Sequence, residues 1–434
     1  MASDLPSHLS LLTLGEPIYR GSVQNLYAVP GHPDHIICET TEAGSVFDVG
    51  SIFTIQGNDL NRAVFRHAMY RRLAQPETWR RVEKALLETS TLGETWRSQL
   101  MDGTLPMMME AGARTHHVGM IDAVTGQIVT EGMPEHPSCY NVVRRFPVMR
   151  PQQRNIMGNF VFDYAQFHQS NTYVVPLEYI VRFGVTSGSS ILRKYEALGE
   201  KERHAFAHEL GLAGPMQAWQ MLDRPIYDLT SKYEPEDRAV TKQEALLMSG
   251  LSAQAFLSTI KMALLGAWAV RELLQEVGLQ LWDLKWEFAV DGDDLFFVDT
   301  IDADSFRATG TVEVDGCQLI IHYNKQAMRD YYRVACADWY AGVNAAKQEA
   351  AHTGQAFKEV LRAGQAAGKY PQTPEVDARF LALQARKTAL IRQHVLGETE
   401  AASLRASLQE TGREEAEFYR SLGKLPEILA LNGR

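Results

Sequence analysis

Apolar positions change their spacing several times along this chain, and each change predicts an element. From 58 to 73, Leu60, Val64, Ala68 and Leu73 fall near helical spacing. From 251 to 277, Phe256, Ile260, Ala263, Leu264, Ala267 and Val270 build one stripe of a longer helix, which Gly278 ends. Short β-prone runs at 17–27 and 36–41, separated by Pro30-Gly31-His32-Pro33, predict a hairpin ahead of the first helix. Residues 78–89 predict a helix, the turn at 122–126 a second hairpin, and 140–148 and 173–183 strands. The polar stretch 151–171 predicts partial helix. Beyond Lys325 the composition is helical, with a break at 368–374. The run 401–418 suits either an oligomer contact or a helix packed on its own lobe.

The most informative segment is 279–307. Side chains alternate across a strand, so Trp282, Leu284, Trp286 and Phe288 are expected on one face and Asp283, Lys285 and Glu287 on the other. Asp291-Gly292-Asp293-Asp294 then returns the chain through 295–300. An odd-membered loop centred on Asp293 pairs Glu287 with Asp299 and points both carboxylates to one side; an even-membered loop points them apart. Two adjacent carboxylates repel unless a proton or cation separates them. Magnesium is the expected ion, since it prefers oxygen and is commonly held by one or two carboxylates plus nucleotide phosphates. A solvated surface hairpin is the plainer alternative, and the two tryptophans opposite the charges argue against it. Asp302, Asp304, Ser305 and Arg307 follow in a loop that can bind a zwitterion or a phosphate.

Composition narrows the classes. A formal charge of −10 over 434 residues excludes a general nucleic-acid binder, which needs surplus Lys and Arg. Cys38, Cys139, Cys317 and Cys336 are scattered and predict reduced thiols. His116-His117 lacks a third ligand at metal spacing, so a surface or loop role is expected, and Met107-Met108-Met109 is expected to line a loop or a buried patch. The N-terminus is a poor secretion signal, and no run reaches the roughly 20 apolar residues of a membrane span, so a cytoplasmic protein is expected.

The strings LWDLKWEFAV (281–290) and VDTIDADSFR (298–307) resemble the paired signature of the phosphoribosylaminoimidazole-succinocarboxamide synthases, or SAICAR synthetases. That signature is an Asp-x-Lys-x-Glu-Phe-Gly strand followed by a loop with Asp-Ser-x-Arg. Further matches keep the family's order. YRGSVQNLY (19–27) is similar to its N-terminal hairpin, VPLEYIVRFGVTSGSS (175–190) to its Val-Pro-x-Glu segment, and LTSKYEPEDRAVT (229–241) to its Ser-Thr-Lys loop. HYNKQAMRDYYR (322–333) is similar to its Asp-Lys-Gln helix start, and PQTPEV (371–376) to a Pro-rich turn.

The resemblance implies an α+β fold of two lobes with the nucleotide cleft between them. Residues 1–175 would form a β-rich nucleotide-binding lobe with an insertion near 75–140, residues 176–396 a catalytic and substrate lobe, and 397–434 a helical extension. It implies a ligase using ATP and Mg2+ to join aspartate to a carboxyaminoimidazole ribonucleotide through an acyl phosphate, in purine biosynthesis. Lys285, Glu287 and Asp299 would be catalytic, the two acids holding the metal. Gly21, Ser22, Val23, Gln24, Glu178 and Lys232 would face the nucleotide. Asp48, Arg182, Ser189, Ser190, Asp304, Ser305, Arg307 and Arg329 would contact substrates. The implied partners are small molecules, with no nucleic acid or membrane, and a homo-oligomer fits. The chain departs from the pattern in four places: Ser22 and Gln24 replace basic residues, Ala289 a glycine, Glu236-Asp237 a His-Asp pair, and the loop near Gln56-Gly57-Asn58 lacks the usual lysine. The alternatives are a specialised paralogue joining another amine and carboxylate, and a non-catalytic nucleotide-binding scaffold.

Overall fold

Helix α1 spans Asn58–Leu73, the range its apolar spacing predicts. It belongs to a computed structural model that describes residues 6, 8–11, 14–235 and 237–433; Glu236 lies outside the described residues, as does much of the N-terminal segment. Beside α1 lies a six-stranded antiparallel sheet, in the order Tyr19–Arg20, Gln24–Ala28, His35–Thr40, Tyr140–Arg144, His117–Ile121 and Ile128–Val129. The hairpin across Pro30–Pro33 is present, and so is the one at 122–126. An additional turn at 21–23 splits the first predicted run. Gly21 N donates to Gln24 O at 2.8 Å, and a Cβ on Gly21 would sit 2.7 Å from that oxygen, so the turn requires glycine.

The second sheet is built around one long strand. Its path runs Ala239–Val240, β2 (Gln220–Ser231), β1 (Leu177–Val185), β3 (Gln280–Asp291), β5 (Phe306–Val314) and β6 (Cys317–His322). The far half of β3 pairs instead with Thr172–Val174 and with β4 (Asp294–Val298). The predicted strand 173–183 is therefore two strands, broken around Pro176, which has no N–H to give a ladder. Helix α2 (Ala253–Glu276) packs behind the sheet, capped by Ser252 Oγ accepting from Ala255 N at 3.2 Å. Gly266 permits the close approach, because a Cβ there would lie 3.0 Å from Phe297 and 3.1 Å from Trp286. α2 is long and apolar enough to cross a membrane, but 67% of its most apolar stretch is buried inside the protein, as in a core helix.

The stretch 151–171 is helical only at its end. It forms an exposed hairpin, Gln152–Ile156 with Asn159–Asp163, followed by a 3-10 turn at Ala165–Gln169. Met157 and Gly158 both take positive φ, 53° and 86°, which closes a two-residue turn of the type that matches strand twist. The stretch 75–140 contributes helices Pro76–Glu88, Glu94–Met101 and Thr104–Ala111. Met108 is buried there while Met107 is exposed. The chain then runs alongside β4, with His116 N donating to Phe297 O at 2.9 Å and Phe297 N to Arg114 O at 3.0 Å.

After α3 (Gln326–Ala335), helices α4 (Ala378–Leu396) and α5 (Ala401–Ser421) close the C-terminal side. α4 packs on α1, and α5 packs on α4 and β5. Gly412 brings α5 close to the sheet, since a Cβ there would lie 3.0 Å from Val312. The run 401–418 packs on its own chain.

Candidate active site

The connection between β3 and β4 is even-membered: Asp291 pairs with Asp294, and Glu287 pairs with Val298, not with Asp299. Gly292 takes φ 61° at the first turn position, which suits a two-residue hairpin loop. Strand parity alone would then send Glu287 and Asp299 to opposite faces. Asp299 escapes parity because it lies just past the end of β4 with a left-handed φ of 67°. That conformation costs an L-residue on the order of 1–2 kcal/mol, and it swings the carboxylate back beside Glu287. A second correction concerns Trp282. A register shift between Leu281 and Asp283 breaks the alternation. Leu281 joins Leu284, Trp286 and Phe288 in the main core, while Trp282 packs separately with Trp219 and Ile320.

Lys285 stands at the centre of the charges. Its Nζ donates to Glu178 Oε1 at 3.0 Å, to Asp299 Oδ2 at 3.2 Å, and to Glu287. Lys232 also pairs with Glu287. Glu178 comes from β1 and is held by Thr230 Oγ1 of β2 at 3.1 Å. Glu287 is buried, 3% exposed, whereas the Asp299 side chain keeps 35% of its surface in solvent. Burial, and then the charge of Asp299, pushes Glu287 up to about 7. Burial acts to raise Asp299 too, but Lys285 and Lys232 outweigh it and hold that acid below the usual carboxylate range. Burial likewise opposes the charge on Lys285, and the three acids overcome it. The result is two adjacent carboxylates, one of them holding a proton more readily than a free carboxylic acid, flanked by two ammonium groups.

A second group lies further along the same face. Arg182 donates to Asp228 Oδ2 at 2.6 Å, Asp283 Oδ2 and Ser189 Oγ at 3.2 Å, and Ser190 Oγ at 3.0 Å. Arg307 meets the same Asp283 oxygen at 3.2 Å and Thr186 Oγ1 at 2.9 Å. Arg329, in the first turn of α3, lies near Arg307. Burial, then Arg307 and Arg333, push it below its ordinary value, and burial does the same to Lys325. These cations are short of negative charge, the condition of a site that receives an anion.

The remaining predicted residues divide. Asp304 pairs with Arg62 at 3.0 Å and faces Arg329 and Lys325. Ser305 is spent on structure, its hydroxyl exchanging hydrogen bonds with the backbone of Asp302 at 2.9 and 3.0 Å. Asp48 is mostly exposed, paired with Lys347 at 2.7 Å. Gly21, Ser22 and Val23 form the N-terminal turn, and Gln24 accepts from Arg66 NH1 at 3.0 Å. His116 and His117 are not surface residues: they are packed against Tyr70, and burial depresses both. Among the described residues no group of three or more His, Cys, Asp or Glu has metal-holding geometry, so any cation here takes part of its shell from elsewhere. Sequence reasoning missed Arg62, Arg66 and Tyr70 of α1, which reach Asp302 and Asp299 across more than 220 residues.

Residues 145–346 match the family model described as SAICAR synthetase. That match covers just under half of the chain, and over it the chain is similar to the SAICAR synthetases. A relative named as a putative phosphoribosylaminoimidazole-succinocarboxamide synthase, from Archaeoglobus fulgidus, is 30% identical over 241 residues, covering 55% of this chain and 65% of that one. A phosphoribosylaminoimidazole-succinocarboxamide synthase from Thermoplasma volcanium is 30% identical over 166 residues, 38% of this chain and 54% of its own. The chain thus spans less than two thirds of the curated relatives' lengths. A solved SAICAR synthase from Saccharomyces cerevisiae, complexed with SAICAR, aligns over 89% of this chain and 97% of its own at 15% identity, with a TM-score of 0.48. The SAICAR synthetase match contains Glu178, Arg182, Lys232, Lys285, Glu287, Asp299, Arg307 and Arg329; Gly21–Gln24, Asp48, α1 and the C-terminal helices fall outside it.

Proposed function

We propose that the protein is an ATP-dependent ligase that joins an amine to an imidazole-type carboxylate, as expected of a SAICAR synthetase with aspartate and a carboxyaminoimidazole ribonucleotide. The observation that carries this reading is the placement of Glu287 and Asp299 against each other between Lys285 and Lys232. Two adjacent carboxylates, one of them pushed up to about 7, fit a divalent cation that would replace the proton. Glu287 and Asp299 would hold Mg2+, which when bound offsets the charge of nucleotide phosphates.

The other residues follow from charge. Lys285 and Lys232 would meet the γ-phosphate. Arg182, Arg307 and Arg329, with Ser189 and Ser190, would take the anionic substrate. The substrate carboxylate would attack the γ-phosphorus and release ADP; the amine would then attack the acyl carbon, form the amide C–N bond and release phosphate. Such a reaction needs positioned cations more than a covalent protein nucleophile. In an assay of ADP release with aspartate and the carboxyaminoimidazole ribonucleotide, turnover is expected, with losses of at least about 100-fold in Glu287→Gln and Asp299→Asn. Turnover that survives both substitutions would sink the assignment.

A second reading keeps the chemistry and changes the substrates. Gln24 is occupied by Arg66 rather than free for a phosphate, so the N-terminal turn brings no cation to the nucleotide. A screen of other amines and carboxylates for ATP consumption separates this reading from the first.

A further inference from the structure

The left-handed turn at Asp299 is gripped from behind. Tyr70 Oη donates to the Asp299 carbonyl oxygen at 2.8 Å, and the buried His116 ring lies against the same residue's backbone. Tyr70 is 0% and His116 9% exposed, and their rings meet edge to face at 5.1 Å. Behind them, His117 stacks on Tyr70 at 5.7 Å and contacts His67 Nδ1 through its Nε2 at 2.8 Å; His67 Nε2 in turn meets Gly132 O at 2.8 Å. Two elements therefore converge on one peptide: α1 brings Tyr70, and the segment just after helix Thr104–Ala111, clipped to β4 at Phe297, brings His116.

We infer that Tyr70 and His116 are positioning residues that hold the Asp299 backbone in its left-handed turn and so keep its carboxylate beside Glu287. The inference rests on reading those two acids as ligands of a divalent cation. The physical reason is parity. With Glu287 opposite Val298, an extended backbone at residue 299 would point the side chain away from Glu287. The positive φ is what reunites the acids, and the residue adopting it is not glycine, so the surroundings must enforce it. Neither side chain performs chemistry, because the tyrosine hydroxyl is committed to a carbonyl and both rings lie beneath the site. The segment at 114–116 thereby acquires a role: it braces the metal-facing turn.

The test titrates Mn2+ into the full-length protein with ADP present, following free Mn2+ by electron paramagnetic resonance, for wild type, Tyr70→Phe and His116→Asn. Circular dichroism and thermal midpoints are recorded on the same samples. Each substitution is expected to weaken Mn2+ binding about 2- to 10-fold, the size of one lost hydrogen bond, with secondary structure retained and ADP affinity in the absence of metal unchanged. Tyr70→Phe keeps the ring and its packing, so it decides the matter if His116→Asn fails to fold. Wild-type Mn2+ affinity in a folded Tyr70→Phe protein would overturn the inference alone. Absence of Mn2+ binding by the wild type would overturn the cation reading first and this inference with it.

Discussion

Asp302 shows how single residues sustain the site without facing it. It is fully buried and receives Arg66 at 2.8 Å and Arg62 at 3.2 Å. Burial acts to raise its pKa, and the two arginines outweigh that and lower it. Asp302→Asn leaves the buried Arg66 guanidinium without its counter-charge and Arg62 with Asp304 alone, and a loss of about 3–5 kcal/mol in urea denaturation is expected; a loss under 1 kcal/mol would contradict the geometry. Buried histidines set a second expectation. His67 and His322 are both pushed down to about 4 by burial. Such groups are neutral in the folded state and titrate near 6.5 when unfolded. Stability is therefore full above about pH 6.5 and is lost as pH falls toward 4, by on the order of 3 kcal/mol for each. Denaturation midpoints at pH 7.5, 6 and 5 check the sign, and an acid-stabilised protein would refute it.

At the level of elements, the long helices and the β3–β4 hairpin were legible in the sequence, because their apolar residues recur at a fixed period. Asn58–Leu73 agrees residue for residue with its spacing. The site was legible in its members but not in its geometry. Parity depends on a loop length that Asp291-Gly292-Asp293-Asp294 leaves open, and the φ of Asp299 has no local signal. The bulge that moves Trp282 is equally silent, since one misplaced residue leaves the pattern intact. Arg62 and Arg66 were hidden because their partners lie more than 230 residues away. The hairpin in 152–163 was missed, though the helical turn at Ala165–Gln169 was not, because its polar residues outnumber its apolar ones and neither period stands out. One prediction belongs here. Gly266 lets α2 rest on Trp286 and Phe297; Gly266→Leu inserts a side chain where there is no room and is expected to destabilise by at least about 1–3 kcal/mol, read as a lowered thermal midpoint.

Across the whole molecule, the C-terminal helices are part of the same core as the sheet. α5 lies against β5, and its Glu415 pairs with Lys387 of α4; both side chains are buried. Removing one partner of such a pair is far more harmful than replacing both. Glu415→Leu is expected to cost about 3–5 kcal/mol, and Lys387→Met with Glu415→Leu to recover most of that loss; equal losses in the single and double variants would argue against a desolvated pair. The far end is tied in as well, with Asn432 Nδ2 donating to Asp330 Oδ2 at 2.8 Å on α3.

The hairpin Gln152–Asp163 has a practical use. Its tip, Met157, is 96% exposed, and its two strands pair only with each other. A reporter peptide spliced between Met157 and Gly158 would sit outside both large sheets, leaving their hydrogen-bond ladders whole. That tip is the natural attachment point for a fluorophore or an affinity handle.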